Sequence, residues 1–219
     1  LDADGNYVEH YNISNWDYDK IYSSINNLIS GVPIVRNVPA DYSTIQLALT
    51  SASEGDTVLV AAGTYVENIT WPPTNGIKLI GSGEDDCFID GNQNASVIRF
   101  EEDLGGIIDS TTLITGFTIQ NGNAHAHGPN ILANGGGMYL RSSSPTLTNV
   151  TFRYNMADRN GGGMFLSHSN PTLMEITFID NSADDKGGGM NLAFSNPILT
   201  NVTISGNTAQ YGGGGMLLN

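Results

Sequence analysis

The sequence predicts an all-β solenoid, a single-stranded parallel β-helix with coils of 26 residues. Met138, Met164, Met190 and Met216 recur every 26 residues, each behind a run of glycines. In these copies Met and Leu alternate with a variable residue, a period of two that is typical of a strand with one buried face. Short strands lie between Gly, Pro and Asn turns and leave no room for a helix. Stacked coils, each strand pairing with its copy one turn away, fit this pattern.

The regular repeats, residues 134–219, predict two main strands and two turns in each coil. In the first copy a strand begins at Met138, a turn follows at Ser144-Pro145, and a second strand runs from Leu147 to Phe152. We expect the glycines to form tight corners with positive φ. The second turn opens with an asparagine in every copy, which predicts an internal amide ladder. Its members are Asn155, Asn181 and Asn207.

The residues before the repeats predict an N-terminal extension, a capping helix and irregular coils. The extension is residues 1–36, with a short amphipathic helix at about 18–30. The second helix, at about 43–53 with Ser43 as its candidate N-cap, is expected to cover the open edge of the first coil. Residues 57–133 then form irregular coils, so the β-helix as a whole is predicted over 37–219.

Composition narrows the possible partners. The 219 residues include 8 Lys+Arg and 22 Asp+Glu, for a net charge of −14. This charge argues against nucleic acid, and against acidic polysaccharides unless a cation such as Ca²⁺ bridges the charges. A single cysteine allows no internal disulfide, and no apolar run is long enough for a transmembrane helix. The chain begins with Leu1 rather than Met, which we interpret as a processed, secreted protein.

Three segments in the first coils resemble a known group. Residues Asp41–Gln46, Gly55–Val60 and Gly63–Ile69 are similar to the opening of pectin-lyase-like right-handed β-helix proteins, including pectin methylesterases. The resemblance implies a right-handed helix with an N-terminal cap. The active-site segments of methylesterases, polygalacturonases and pectate lyases have no match in this sequence, so no catalytic residue is carried over.

The repeats resemble a second group. Phe152–Asn155 and Phe178–Asn181 match the FxxN element of polymorphic outer membrane protein repeats, and Gly136-Gly137-Met138 is similar to their GGA-type element. The departures are Gly for Ala and Met for Ile or Leu. This resemblance implies a surface-displayed, adhesive β-helical stalk.

An outward column of the repeats is more apolar than a solvated sheet face requires. Such a column can stack sugar rings or dock a partner protein, although a loop or a neighbouring chain that covers it is an equal alternative. The candidate binding residues are Tyr139 and Phe165, followed in the column by Asn191 and Leu217 and flanked by His168 and Phe194.

The longest break in the repeat carries two histidines. Thr118 aligns with Thr151 at a spacing of 33 rather than 26, so about seven extra residues lie around His125 and His127. Insertions in solenoids often carry the binding function. The two histidines are candidates to share a metal, or for one of them to act as a base. The alternative is an ordinary exposed loop.

Calcium is the one cofactor that the sequence suggests. Asp2, Asp4 and Asn6 alternate around Gly5, as in the first half of a calcium loop. The glutamate expected at the twelfth position is absent, since that place is Ile13. The alternative is a flexible linker.

The sequence therefore favours an extracellular or cell-surface structural or adhesive module, with end-to-end assembly into filaments by coil stacking as one form of it. Its expected partners are other copies, surface polysaccharide or protein. The alternative is a carbohydrate-active enzyme of the pectin-lyase-like group, a polysaccharide lyase or glycoside hydrolase, with catalytic coils that we expect to lie partly outside this segment. A lyase needs acids and a base in one groove. The repeat arginines, such as Arg141 and Arg153, are predicted not to share an outward column with carboxylates.

Overall fold

A computed structural model describes residues 32–101, 108–125 and 133–218. The chain divides into two compact units, Leu1–Val32 and Pro33–Asn219, and the strands of the described ranges lie in the second. The helix predicted at about 18–30 lies outside the described residues, and the predicted domain boundary after residue 36 stays a prediction. Within the described ranges, no helix has the length and apolar character to cross a membrane.

The described strands form three sheets in which every pair of neighbours is parallel. The first sheet contains, in spatial order, β1 (Val35–Val38), β2 (Thr57–Val60), β5 (Lys78–Gly81), β8 (Leu113–Gln120), β11 (Thr146–Arg153), β14 (Thr172–Ile179) and β17 (Ile198–Ser205), while β3 (Gly63–Val66) and β6 (Cys87–Asp90) join it beside β8. The second contains β4 (Ile69–Thr70), β7 (Ile98–Phe100), β10 (Met138–Arg141), β13 (Met164–Ser167), β16 (Met190–Ala193) and β19 (Met216–Leu218). The third contains β9 (Asn123–Ala124), β12 (Met156–Ala157), β15 (Ser182–Ala183) and β18 (Thr208–Ala209).

The register confirms the 26-residue coil. Met138 pairs with Met164, which pairs with Met190, which pairs with Met216. Chemically equivalent residues therefore stack at ~4.8 Å, the spacing of neighbouring strands. The spacing of 33 is also confirmed, because Thr118 pairs with Thr151.

The long strands of the first sheet bend in the middle. Asn149, Glu175 and Asn201 have φ of 50°, 55° and 52°, and the register between neighbours skips these positions. A left-handed residue inside a strand turns the chain, so each strand contributes to two planes of the sheet. The sequence predicted a strand from Leu147 to Phe152, and the period of two carries no signal for the bend.

The core is a set of internal columns. Met138, Leu140, Leu147 and Phe152 are fully buried, and the Phe152 ring stacks on Phe178 with centroids 4.9 Å apart. Full burial of one such side chain contributes roughly 1.5–3 kcal/mol. Since the columns run through successive coils, each coil depends on its neighbours for this burial.

The predicted asparagine ladder is confirmed. Asn181 Oδ1 accepts from both the backbone N–H and the side-chain amide of Asn155, each at 3.0 Å. Asn207 Oδ1 accepts the same two bonds from Asn181, each at 2.9 Å. Each amide also donates to a backbone carbonyl of the preceding coil, as Asn181 does to Phe152 at 2.9 Å. The ladder therefore satisfies buried polar groups while it fixes the register of the turns.

The glycine runs serve two purposes, of which only the first was predicted. Gly161 has φ of +69°, as expected for a tight corner. Gly162 is different, because a Cβ placed there would collide with the carbonyl oxygens of Ser182 and Gly188 in the next coil. Glycine at this position allows two backbone segments to approach each other closely.

A short helix, α1 (Ile45–Thr50), lies at the start of the solenoid. It confirms the predicted capping helix, with tighter bounds. The N-cap is Thr44 rather than Ser43, because Thr44 is extended and its hydroxyl accepts from the backbone N–H of Leu47 at 3.1 Å. Glu67 accepts from the N–H groups of Ile45 and Gln46 at 2.8 and 2.9 Å, which completes the N-terminus of the helix.

The Gln46 side chain satisfies the backbone at the edge of the second sheet. Its carbonyl accepts from Thr70 N at 2.8 Å and its amide donates to Thr70 O at 3.0 Å. One side chain thus replaces the strand that would otherwise pair there. This contact is how the cap protects an open edge from pairing with another chain.

A buried ion pair joins the first two strands. Arg36 donates to Asp56, and both side chains are less than a tenth exposed. Burial by itself raises the pKa of Asp56, but bonds from the N–H groups of Ile34 and Ser53 and the charge of Arg36 outweigh it. The pKa of Asp56 is therefore below its ordinary value, and the carboxylate is ionised at neutral pH.

Candidate functional site

The predicted aromatic column exists on the outer face of the second sheet, but most of it is covered. The rings of Tyr139 and Phe165 stack with centroids 5.6 Å apart, and the guanidinium of Arg99 lies 4.3 Å from the centre of the Tyr139 ring. Tyr139 is only 5% exposed, Asn191 is buried and Phe165 is half-buried. The Arg99 guanidinium packs on the Tyr139 ring in a cation–π contact and so continues the stack of side chains. The role of the column in ligand binding stays a prediction.

The two flanking residues form an exposed aromatic corner, His168 and Phe194. Each follows a strand of the second sheet and has φ of 51°. This left-handed conformation turns the chain out of the sheet plane at the corner. The rings stack with centroids 5.0 Å apart, and Phe194 is 77% exposed. The aromatic corner is thus an open, apolar surface built from two successive coils.

The histidines of the insertion are only partly described. His125 Nδ1 lies 3.2 Å from Asp158 Oδ1, which connects the insertion to the following coil. His127 lies outside the described residues, as do Asp2, Asp4 and Asn6. Within the described ranges, no three His, Cys, Asp or Glu side chains come together as a metal site. The metal and calcium sites stay predictions.

A polar column on the first sheet was missed by the sequence reasoning. Gln120 Oε1 accepts from Arg153 Nε at 2.9 Å and from Nη2 at 2.7 Å, while its amide donates to Asp90 Oδ2 at 2.9 Å. The three residues stand opposite one another on β6, β8 and β11. The prediction that no outward column collects the repeat arginines with carboxylates was therefore wrong for Arg153.

The reason for the error lies in the spacings. Asp90, Gln120 and Arg153 are 30 and 33 residues apart, so a search at 26 residues does not align them. The signal that could have found them is the alignment of Thr118 with Thr151, since Gln120 and Arg153 follow these threonines by two residues.

Aromatic rings flank Arg153. Its guanidinium carbon lies 5.4 Å from the centre of the Phe88 ring and 5.8 Å from that of Tyr154. Tyr154 has φ of 54° and is 57% exposed, so it stands at a second corner of the coil. The geometry thus combines a fixed cation with an open aromatic face.

Cys87 and a cavity beside α1 are less suited to catalysis or ligand binding than the two corners described above. Burial raises the pKa of the Cys87 thiol, which donates to Ala61 O at 3.4 Å, so the thiolate needed for nucleophilic attack is disfavoured. A cavity of about 310 Å³ lies beside α1 between Gln46, Trp71 and Glu101. The indole N–H of Trp71 has no partner within the described part of the chain, but the ring itself is buried under Phe100.

Comparison with known proteins identifies the fold family. The family model described as right handed beta helix region matches residues 61–219. A search of curated proteins gives no match. The family match confirms the predicted right-handed parallel β-helix, whose three sheets the structure contains.

Two solved structures show a distant likeness. Pectin methylesterase PemA from Erwinia chrysanthemi is 14% identical over 74% of this chain and 54% of its own, with a TM-score of 0.45. A pectin methylesterase in complex with hexasaccharide VII is 15% identical over 76% of this chain and 66% of its own, with a TM-score of 0.41. The chain thus spans about half to two thirds of the length of these proteins.

Proposed function

The chain belongs to the right-handed beta helix family, and on this basis we propose that it is a structural and adhesive module of an extracellular or cell-surface protein. Its contact surface is the aromatic corner of His168 and Phe194. The observation that carries the proposal is the stacked, exposed pair of rings on two successive coils. The similarity of the repeats to polymorphic outer membrane protein repeats supports display at a surface.

The aromatic corner suits a partner with a flat, weakly polar face. Stacked rings present apolar area at a low entropic cost, since each ring has only two torsions to fix. A pyranose ring of a surface polysaccharide, or an apolar patch on a protein, provides the complementary face. Because the solenoid beneath is held by ladders of bonds, the corner is rigid before it binds, and little ordering is needed on contact.

Coil stacking provides a second form of the same function. Leu147 and Leu173 are buried, whereas Leu199, the equivalent residue of the last described coil, is 39% exposed. A further coil or another copy of the chain adds strands to β17 and β19 and covers such positions. We include end-to-end association of copies in the proposal. Analytical ultracentrifugation of the full-length native protein tests it, and a monomer at all concentrations contradicts it.

The adhesive proposal is tested with the Phe194→Ala variant. The wild-type protein is expected to bind to cells or to immobilised surface polysaccharide, and the variant to bind at least tenfold more weakly, with an unchanged melting temperature. Met156→Ala is the matched control, since Met156 is 44% exposed on the third sheet, on another side of the coil. Equal binding by the wild type and Phe194→Ala contradicts the role of the corner.

A carbohydrate-active enzyme is the second candidate function. The observation that favours it is the column of Asp90, Gln120 and Arg153, which brings a carboxylate, an amide and a guanidinium together on one outer face. Lyase and hydrolase chemistry both use such groups. Incubation with polysaccharides, with and without Ca²⁺, tests this candidate through the release of reducing ends. No release from any substrate by the full-length protein contradicts it.

A further inference from the structure

We propose that Arg153 and Tyr154 form a binding site for a neutral saccharide, on the first sheet and separate from the aromatic corner. The site is built from three successive coils by Asp90, Gln120 and Arg153, with Phe88 behind the guanidinium and Tyr154 at the corner beside it. This proposal does not depend on the adhesive role of His168 and Phe194.

The guanidinium is held in place before any ligand arrives. Gln120 Oε1 takes both Nε and Nη2 of Arg153, which fixes the plane of the group. Gln120 in turn is held by Asp90, whose Oδ2 also accepts from Asn121 at 2.8 Å. A cation that is already oriented loses little rotamer freedom on binding, so its remaining N–H groups are effective donors to ligand hydroxyls.

The same face also offers a hydrogen-bond acceptor. Thr151 stands two residues before Arg153 on β11, so the two side chains leave the same face of the strand ~6.6 Å apart. Glu84 lies against this position, because its Oε2 accepts from Thr151 Oγ1 at 3.1 Å. Neighbouring hydroxyls on a sugar ring both donate and accept. A donor at Arg153 and a carboxylate at Glu84 therefore match such a ring from one side.

Tyr154 provides the stacking surface. Its left-handed backbone turns the chain at the corner, and more than half of the side chain is exposed. The apolar face of a pyranose ring packs on an exposed aromatic ring, while the hydroxyl edge points sideways toward polar groups. The equivalent corner residues in the next two coils are Asp180 and Gly206, so this site occurs once in the repeats.

The surrounding charge selects a neutral ligand. Asp90 and Glu84 flank the site, and the chain as a whole carries −14. The single charge of Arg153 is already opposed by Asp90 through Gln120. An anionic saccharide would meet carboxylates on both sides, whereas a neutral one loses nothing to this field.

The test is affinity gel electrophoresis of the full-length protein in gels that contain a neutral polysaccharide, with dextran, mannan and a mixed-linkage β-glucan as probes and polygalacturonate as the acidic comparison. We expect at least one neutral probe to retard the wild type. Tyr154→Ala is expected to weaken this binding at least tenfold and Tyr154→Phe to retain it. Arg153→Lys, which keeps the charge but not the planar fork, is expected to weaken it as well.

The matched control is Tyr211→Ala, since Tyr211 is 72% exposed elsewhere on the solenoid. Tyr154→Ala and Phe194→Ala are compared on the same probe, and loss of retardation in Phe194→Ala with none in Tyr154→Ala assigns the binding to the aromatic corner instead. The proposal is overturned if no neutral probe retards the wild type, if only polygalacturonate does, or if Tyr154→Ala binds as well as the wild type while its melting curve is unchanged.

Discussion

In the regular repeats many contacts between coils recur at the same position of each coil, whereas several polar contacts of the first coils occur only once among the described residues. Asn155, Asn181 and Asn207 make the same bonds in the same places. By contrast, the ion pair of Arg36 with Asp56 has no equivalent in the described residues of the neighbouring coils. The repeats are thus stabilised by periodicity, and the first coils by individually specified groups that cover an open end.

This difference predicts how each region responds to damage. Substitution of one ladder asparagine weakens the hydrogen bonds of both neighbouring coils, because each amide bonds to the asparagine on either side. Loss of a contact that occurs once destabilises only the coil that contains it, but no equivalent contact in a neighbouring coil compensates for the loss. Substitutions in the two regions test this contrast.

Asn181→Ala is expected to cause the largest decrease in the free energy of unfolding. It removes the acceptor of two bonds from Asn155 and leaves buried N–H groups unpaired, at about 1–3 kcal/mol for each group, so ~5 kcal/mol of unfolding free energy in all. Asn207→Ala at the half-buried end of the ladder should cost less than half as much, because water replaces the lost partners. Urea denaturation at 25 °C measures both. Equal costs would show that the ladder position does not matter.

Asp56→Asn is expected to cost ~4 kcal/mol, because it leaves the buried Arg36 guanidinium without its counter-charge. The effect depends on pH. The folded pKa of Asp56 is below its ordinary value of 3.8, so its contribution is complete above that pH and is lost as the pH falls through the folded pKa. The difference between wild type and variant in urea should therefore shrink below about pH 4. A constant difference down to pH 2 would contradict the role of the charge.

Gly162→Ala is expected to destabilise the repeats by ~3 kcal/mol, since a Cβ would collide with backbone carbonyls that the ladder holds in place. Gly215→Ala is the control. Gly215 has no positive φ, and the nearest atom to a Cβ placed there is a side-chain methyl, Ile204 Cγ2 at 3.1 Å, which can shift because Ile204 is half-buried. Thermal unfolding followed by circular dichroism should separate the two variants clearly. Similar melting temperatures would indicate that the coils can move apart at low cost.

Glu67→Gln is the smallest expected effect, about 0.5–1 kcal/mol, because the amide keeps one acceptor for the N-terminus of α1 but loses the charge. Amide hydrogen exchange provides the local readout. Protection should fall in residues 45–50 and stay unchanged in the repeats. Loss of protection in the repeats as well would show that the cap controls the whole solenoid.

The sequence predicted the main strands and the internal columns of the repeats, but it missed the bend within each long strand and most of the contacts that occur once. The 26-residue period was sufficient for the strands, the methionine column and the asparagine ladder, since identical positions have to stack. The contact of Glu67 with the N-terminus of α1 joins residues that are 22 positions apart, and this spacing does not belong to the repeat. The column of Gln120 and Arg153 was hidden for a similar reason, because the insertion after β9 changes the spacing at that coil.

The candidate site was predicted in part for the same physical reason. The period placed His168 and Phe194 in successive coils, and they do stack. It could not predict that Tyr139 is covered while Phe194 is exposed, because exposure depends on corner geometry and on what packs outside the sheet. The left-handed corner residues have no common side chain, and only the backbone identifies them.

The most direct test of the contrast is to delete one complete coil. Removal of residues 156–181 joins Asn155 to Ser182 and preserves the register of all three sheets. We expect a folded, cooperative protein with a shorter solenoid and a modestly lower melting temperature. Removal of residues 63–86, which brings Cys87 to the place of its partner Gly63, deletes Glu67 and Trp71 and should leave the first coils unfolded, with a large fall in melting temperature. Thermal unfolding of both deletion variants, followed by circular dichroism, measures the difference. Loss of folding in the first deletion, or native-like melting in the second, would contradict the account.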